Sequence, residues 1–474
     1  MVKAHKKAYY SIILSLFMGG ISYAPAIIAQ EQSPIQPETW ITIFVHGIMS
    51  IKPHLSFGNF MRFMTDNVHG TVYSKTVELM RDDIIFHQNQ AMQQVGLKKI
   101  DPYDVAPGNA SSAMALVFEQ MSAFANTGLK IENHYYTFGW SGLLSPKQRY
   151  ADAISMYNAI AKEVASYVAH GVNPKVRIIG YSHGGNVLLN LALARQQSTI
   201  AETFTVNELI LLGMPVQAET DHLINDPIFE TVYHLYSRGD RIQKLDFFSF
   251  NRFFSSRLFK NREDFQLPEK LIQIQLKCTR NAKPTITADK QNELYNFANN
   301  AILSGTSRLL RDASPGHTEL WFFGWTPGNY RNNFPLYPLP AASLIPLILR
   351  EARNFQHKEW YEKPTLIDIR PEQEVILIRN QKSKKMLTIA QFLPKSELNR
   401  LGKQVMQYKP EIYNQELYFG GIQKALQQAQ DMHSQKVKKH KMAKKERARH
   451  KKKMLKEFNE QSNLAVAIDG LNSK

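Results

Sequence analysis

The sequence predicts an α/β fold. Short β-type runs and stretches of helical spacing succeed one another from residue 40 onward. One junction between them, Gly180-Tyr181-Ser182-His183-Gly184, has the Gly-x-Ser-x-Gly pattern of a tight strand-to-helix turn. At 474 residues and 43% hydrophobic content the chain exceeds one ordinary domain and can bury a sizeable core. One large domain over about 38–350, with appendages, is expected.

The elements follow in chain order. Residues 40–45 (Trp-Ile-Thr-Ile-Phe-Val) form an uninterrupted β-type run that leads into His46-Gly47-Ile48-Met49. An insertion of about 50–131 separates this strand from the next at 134–138, and carries a helix-like apolar stretch at 111–118, read as a helical cap. Residues 150–169 have apolar side chains at helical spacing. They precede a strand at 176–179, the turn at 180–184, and a helix from 186 to 193. Further strands are expected at 209–212, 231–236 and 271–276.

The turn carries a chemical expectation. A serine hydroxyl is a poor nucleophile unless it is held out beside a base, and a strained strand-to-helix turn presents Ser182 in that way. Glycines at 180 and 184 let strand and helix approach closely. A carboxylate and a histidine are then sought downstream. Asp240 follows the strand at 231–236 and is the expected acid, with Asp221, Asp226 and Asp246 as rivals. His317, in the turn Pro315-Gly316-His317-Thr318-Glu319, is the expected general base and acid. Upstream, the N–H of Ile48 after the His46-Gly47 strand end would pair with the N–H of His183 to form an oxyanion hole. His46 and His183 themselves are read as structural.

These four features, in this order, resemble the α/β-hydrolase superfamily, and His-Gly combined with Gly-Tyr-Ser-His-Gly-Gly is most similar to its bacterial lipases and esterases. The resemblance spans about residues 41–325. It implies a mostly parallel sheet with helices on both faces, a buried Ser-Asp-His triad, and no metal or organic cofactor. The chain departs from a compact hydrolase in its insertion of about 50–131 and in the long gap between the strand at 271–276 and His317.

The remaining segments bear on substrate and location. Lys3, Lys6 and Lys7 precede an apolar run over residues 8–23, followed by Ala24-Pro25-Ala26 and Ala29. This reads as a signal peptide over 1–29, and hence as export to a bacterial periplasm or beyond, with membrane association left open. The single cysteine, Cys278, leaves no intramolecular disulfide and is read as a small buried hydrophobe. Trp140 stands at the expected rim of the site, either lining an acyl pocket or belonging to the core. Phe247 and Phe250 belong to a run of five phenylalanines in residues 247–254, inside a second insertion at about 245–266. They are candidates for a lid or an acyl-chain wall, with a helix packed on the core as the alternative. Residues 351–425 are expected to form a small accessory region with a hairpin near 365–378, and 426–474 a basic tail, either helical or disordered. Between residues 436 and 456 twelve Lys or Arg face Glu446 alone, so this stretch carries about +11 of the formal +17. It suits either a solubilising role or contact with an anionic membrane or envelope surface. No aromatic side chains interleave with the lysines, which disfavours nucleic acid.

The sequence is therefore read as an exported serine hydrolase acting on carboxylic esters, with lipid esters as the expected substrate. The same groups would serve a thioesterase or acyltransferase. The reading from a different class is a catalytically silent protein of the same fold that binds lipid or an envelope partner.

Overall fold

The computed structural model describes residues 37–49, 66, 68–126, 131–198, 203–244, 255–281, 310–312, 314–327, 334–354, 364–380 and 388–472. Residues 1–36, with the expected signal segment, lie outside them, as do Phe247 and Phe250. From Glu38 onward the chain clusters as one unit.

Its frame is an eleven-stranded sheet. The strands are β1 (Glu38–Val45), β2 (Gly96–Ile100), β3 (Ile131–Gly139), β4 (Lys175–Tyr181), β5 (Val206–Leu212), β6 (Phe229–Ser237), β7 (Leu271–Asn281), β8 (Leu310–Asp312), β9 (Thr365–Arg370), β10 (Val375–Asn380) and β11 (Thr388–Phe392). The order across the sheet is β11-β10-β9-β7-β6-β5-β4-β1-β3-β2, with β8 paired to β7 off this path. From β3 to β9 the neighbours along that order run parallel, and antiparallel pairs occur at the two ends and at β8.

Strand alternation sorts the core into two layers, because successive side chains leave opposite faces of a strand. One face presents Phe44, Tyr135, Ile179, Ile210, Tyr233 and Ile274. It is covered by α2 (Ala110–Ala125), α6 (His317–Trp321), α7 (Ile345–Asn354) and α8 (Lys395–Val405). The other presents Ile43, Tyr136, Ile178, Leu209 and Val232, and is covered by α3 (Pro146–Ala169), α4 (Gly184–Leu189) and α5 (Leu191–Gln197). Local chemistry starts the helices. Ser145 accepts a hydrogen bond from the Gln148 N–H at 3.0 Å, and Pro146 occupies the first position of α3. Thr71 caps α1 (Val72–Asp82) through the Ser74 N–H, and Asn109 caps α2 through the Ser112 N–H.

Two expectations need correction. The apolar stretch at 111–118 is no cap: it is the first half of α2, buried from Ala110 to Phe118 against the sheet and α7. Its small and apolar residues leave no polar face to turn to water, which a surface helix requires. The accessory hairpin forms as β9 and β10, but it is continuous with the main sheet, since β9 pairs parallel with β7. Thr279 there donates to the buried Asp368 carboxylate at 2.7 Å, and Asp368 pairs with Arg370.

The basic tail is the C-terminal part of α9 (Gln415–Asn472). The start of α9 packs on α1: Ala425 is buried with Met80 and Phe86, and Tyr418, Ile422 and Met49 pack around them. No helix among the described residues is long and apolar enough to cross a membrane.

Candidate active site

Ser182 follows β4 at the sharp turn into α4. Its backbone is left-handed, with φ at +53°, a conformation that costs a non-glycine residue roughly 1–2 kcal/mol. Ties on both sides hold it there. The Ser182 N–H donates to the Leu212 carbonyl at the end of β5 at 2.9 Å, and its own carbonyl accepts from the Gly185 N–H at 3.0 Å. Strain kept in place by surrounding structure is characteristic of functional positions.

The structure brings the three expected side chains into one line. Ser182 Oγ lies 3.0 Å from His317 Nε2, and His317 Nδ1 lies 2.7 Å from Asp240 Oδ2. Asp240 is fully buried and follows β6. Its second carboxylate oxygen accepts from the Ile242 N–H at 2.9 Å and the Gln243 N–H at 3.4 Å, and its backbone carbonyl accepts from the half-buried Arg257 guanidinium. A buried carboxylate surrounded by donors stays fixed, so it selects the imidazole tautomer with the proton on Nδ1. Nε2 is then left as the acceptor that faces the Ser182 hydroxyl. His317 is the first residue of α6. The Tyr181 hydroxyl donates to its carbonyl at 2.9 Å, and the Tyr181 ring lies 4.8 Å from the imidazole. Burial holds the Tyr181 phenol well above its ordinary range, so it remains a donor.

The rival acids are engaged elsewhere. Asp221 pairs with Arg262 and Asp226 with Arg195, and Asp246 lies outside the described residues.

The turn after β1 lies directly against Ser182. A Cβ on Gly47 would sit 2.9 Å from Ser182 Cβ, and one on Gly184 would sit 2.4 Å from the His46 carbonyl oxygen. Ile48 and His183, the two expected oxyanion donors, directly follow Gly47 and Ser182, the two residues in this contact. His46 is fully buried: burial pushes its imidazole down to about 3, so the ring is neutral at physiological pH. It donates from Nδ1 to the Gly47 carbonyl at 2.7 Å and accepts the Trp140 N–H on Nε2 at 3.3 Å.

Trp140 is not part of an acyl pocket. It is wholly buried, its indole N–H donates to the His46 carbonyl at 2.7 Å, and its ring lies 5.6 Å from the His46 ring. Its work is to fix the 46–48 turn. Position after β3 put Trp140 near the rim, but the direction of the side chain was not readable from that.

Two neighbours of the site were missed by sequence reasoning. Arg149, 3% exposed, donates from Nη1 to His183 Nδ1 at 2.7 Å, which fixes the residue after Ser182. Its signal was faint: Arg149 stands one turn into a helix whose Ser145-Pro146 start was overlooked. The second is Gly213, with φ at +62°. A Cβ there would lie 2.8 Å from Leu320 Cδ1 and 3.3 Å from Asp240 Oδ2, so Asp240 and His317 approach each other beside an empty side-chain position. Gly213 ends the apolar run at 209–212, a recognisable turn signal.

Chemically, the line can move a proton from serine to imidazole while the carboxylate steadies the resulting cation. Among the described residues no cluster of three or more His, Cys, Asp or Glu side chains could hold a metal ion. No family model matches this chain, and no curated protein matches its sequence.

Proposed function

We propose that this protein is a serine hydrolase of the α/β-hydrolase type that cleaves carboxylic esters through an acyl-serine intermediate. The observation that carries the reading is the hydrogen-bonded line Ser182–His317–Asp240, with Ser182 held in a left-handed turn. In this mechanism Nε2 of His317 takes the Ser182 proton as Oγ attacks the ester carbonyl, and Asp240 stabilises the imidazolium. The backbone N–H groups of Ile48 and His183 receive the oxyanion, a contribution of about a hundred- to a thousandfold for each donor. His317 returns its proton to the leaving alkoxide, and then activates the water that releases the acid.

Lipid esters are the substrate class we favour, on the likeness to lipases and the phenylalanine run at 247–254. The lysine-led apolar run over residues 8–23 supports export. The test is hydrolysis of nitrophenyl esters from acetate to palmitate, with labelling by a fluorophosphonate. Activity and label lost in Ser182→Ala, and activity lost in Asp240→Asn and His317→Ala, are expected. A folded wild-type chain that neither labels nor turns over any ester would defeat the proposal.

A further inference from the structure

Helix α9 does two things in one rigid piece. Its first turns are seated beside the candidate site: Tyr418, Ile422 and Ala425 pack with Met49 and with Met80 and Phe86. Met49 and Ile48 also pack on the cluster of Val68, Tyr73 and Val77. Helix α1 and the start of α9 therefore form a platform against the turn whose Gly47 abuts Ser182. The helix then runs along α1, with the Lys436 ammonium close to Gly70, and continues as residues 436–456. These are exposed at nearly every position.

The chemistry of that second part is unusual. Twelve cations in 21 residues occupy about 30 Å of helix, given 1.5 Å per residue. At 100° per residue they lie all around the axis: Lys436, Lys444 and Lys451 fall within one quarter turn, while Lys438, Lys445 and Arg449 face the opposite way. The exposed apolar residues Val437, Met442, Met454 and Leu455 form no stripe. A helix that inserts into the headgroup region needs an apolar face, and this one has none. Its attraction is purely electrostatic, and it acts on a dense array of negative charge.

We propose that residues 436–456 dock the protein, without insertion, on the phosphate-bearing surface of an anionic lipid bilayer, and that the shared α1–α9 platform brings the site of Ser182 to that surface. The lipid half of this inference rests on the hydrolase reading. Absence of aromatic side chains among the cations argues for headgroups over nucleic-acid bases. The unbroken helix, with no proline from residue 415 to 472, makes the link between cations and platform stiff.

The experiment uses the full chain and a variant carrying K438Q, K439Q, K444Q, K445Q, K451Q and K452Q, none of which touches the site. Both are sedimented with vesicles of phosphatidylglycerol mixed into phosphatidylcholine, with phosphatidylcholine vesicles, and mixed with a duplex nucleic-acid oligomer. Wild-type binding to the anionic vesicles should fall at least about tenfold from about 0.01 to 1 M salt, where the screening length drops from about 30 to 3 Å. The variant should bind roughly a hundredfold more weakly at low salt. Hydrolysis of an ester embedded in anionic vesicles should fall with it, while hydrolysis of a water-soluble ester stays equal. Equal binding to both vesicle types, an unchanged variant, or retention of the oligomer without the anionic vesicles would each overturn the docking. Salt-sensitive vesicle binding by a folded chain that takes no fluorophosphonate label and is inert on both the soluble and the embedded ester would support the docking and defeat the hydrolase reading.

Discussion

Gly213→Ala tests whether the empty position beside the acid–base pair is required. The alanine must adopt φ near +62°, which costs about 1–2 kcal/mol for an L residue. Its Cβ would lie 2.8 Å from Leu320 Cδ1, and Leu320 is fully buried, so relieving that contact forces a shifted rotamer at about 0.5–1.5 kcal/mol. The total is about 1.5–3.5 kcal/mol. For a unit running from Glu38 to Lys474 the unfolding entropy is about 0.9 kcal/mol/K, so Tm should fall by only about 2–4 °C. Turnover should suffer far more. The same Cβ stands 3.3 Å from Asp240 Oδ2, so the carboxylate that holds His317 must give by a few tenths of an ångström, and since a full 1 Å misplacement costs on the order of a hundredfold, a loss of about tenfold is expected. Scanning calorimetry and nitrophenyl ester kinetics on the same preparation read both quantities. Wild-type turnover with an unchanged Tm would show that the space is not needed, and the steric reasoning would fall.

Asp240→Asn keeps the oxygen that accepts from Ile242 and Gln243, so its amide N–H group turns to His317 and forces the imidazole proton onto Nε2. A fall of about 10³- to 10⁴-fold in kcat with a near-native fold is expected, and a loss below tenfold would contradict the assignment. Glu208→Gln leaves Arg177 and Arg353 facing each other without the buried carboxylate that both bind. It should lower stability by about 3 kcal/mol in urea melts, yet leave turnover per folded molecule unchanged, because Glu208 lies early in β5, away from Ser182. Acid should weaken the fold through its buried histidines. Burial pushes His46 down to about 3 and His234 to about 4, so the unfolded chain takes up their protons first, from about pH 6.5 downward. Stability is full above that pH and should decline on acidification towards pH 4, by at most about 1.4 kcal/mol per pH unit for each ring. Urea midpoints that stay flat from pH 7.5 to 4.5 would contradict this.

Some of this was legible in the sequence because it is local. A strand, a Gly-x-Ser-x-Gly turn and a helix occupy one short window, and that window determines where Ser182 stands. Asp240 was legible as a carboxylate just past a strand. His317 came from chain order, and its distance of 2.7 Å from Asp240 depends on the packing of α6, which no local pattern encodes. What failed to show was direction. Trp140 stood near the rim in sequence but turns inward onto His46, and Arg149, just ahead of the helix expected at 150–169, went unnoticed although α3 brings it to His183. The stretch at 111–118 was misplaced although its composition held the clue, since a helix without a polar face belongs inside. Likewise the β9–β10 hairpin has buried residues from both faces, such as Ile376 and Leu377, and needed partners beyond itself.

The continuity of β9 with β7 has a consequence for biosynthesis. Ser182, Asp240 and His317 have all been translated before residue 320, yet β7, paired with β6 on one side, gains the parallel neighbour on its other side only when residues 365–370 emerge. Until then the nascent chain carries an unpaired strand edge, and Ile274 and Leu276 lack the cover that α7 and α8 complete. Such an intermediate invites aggregation, so an expression fragment trimmed after His317 would carry all three residues of the candidate triad and still be a poorly behaved protein.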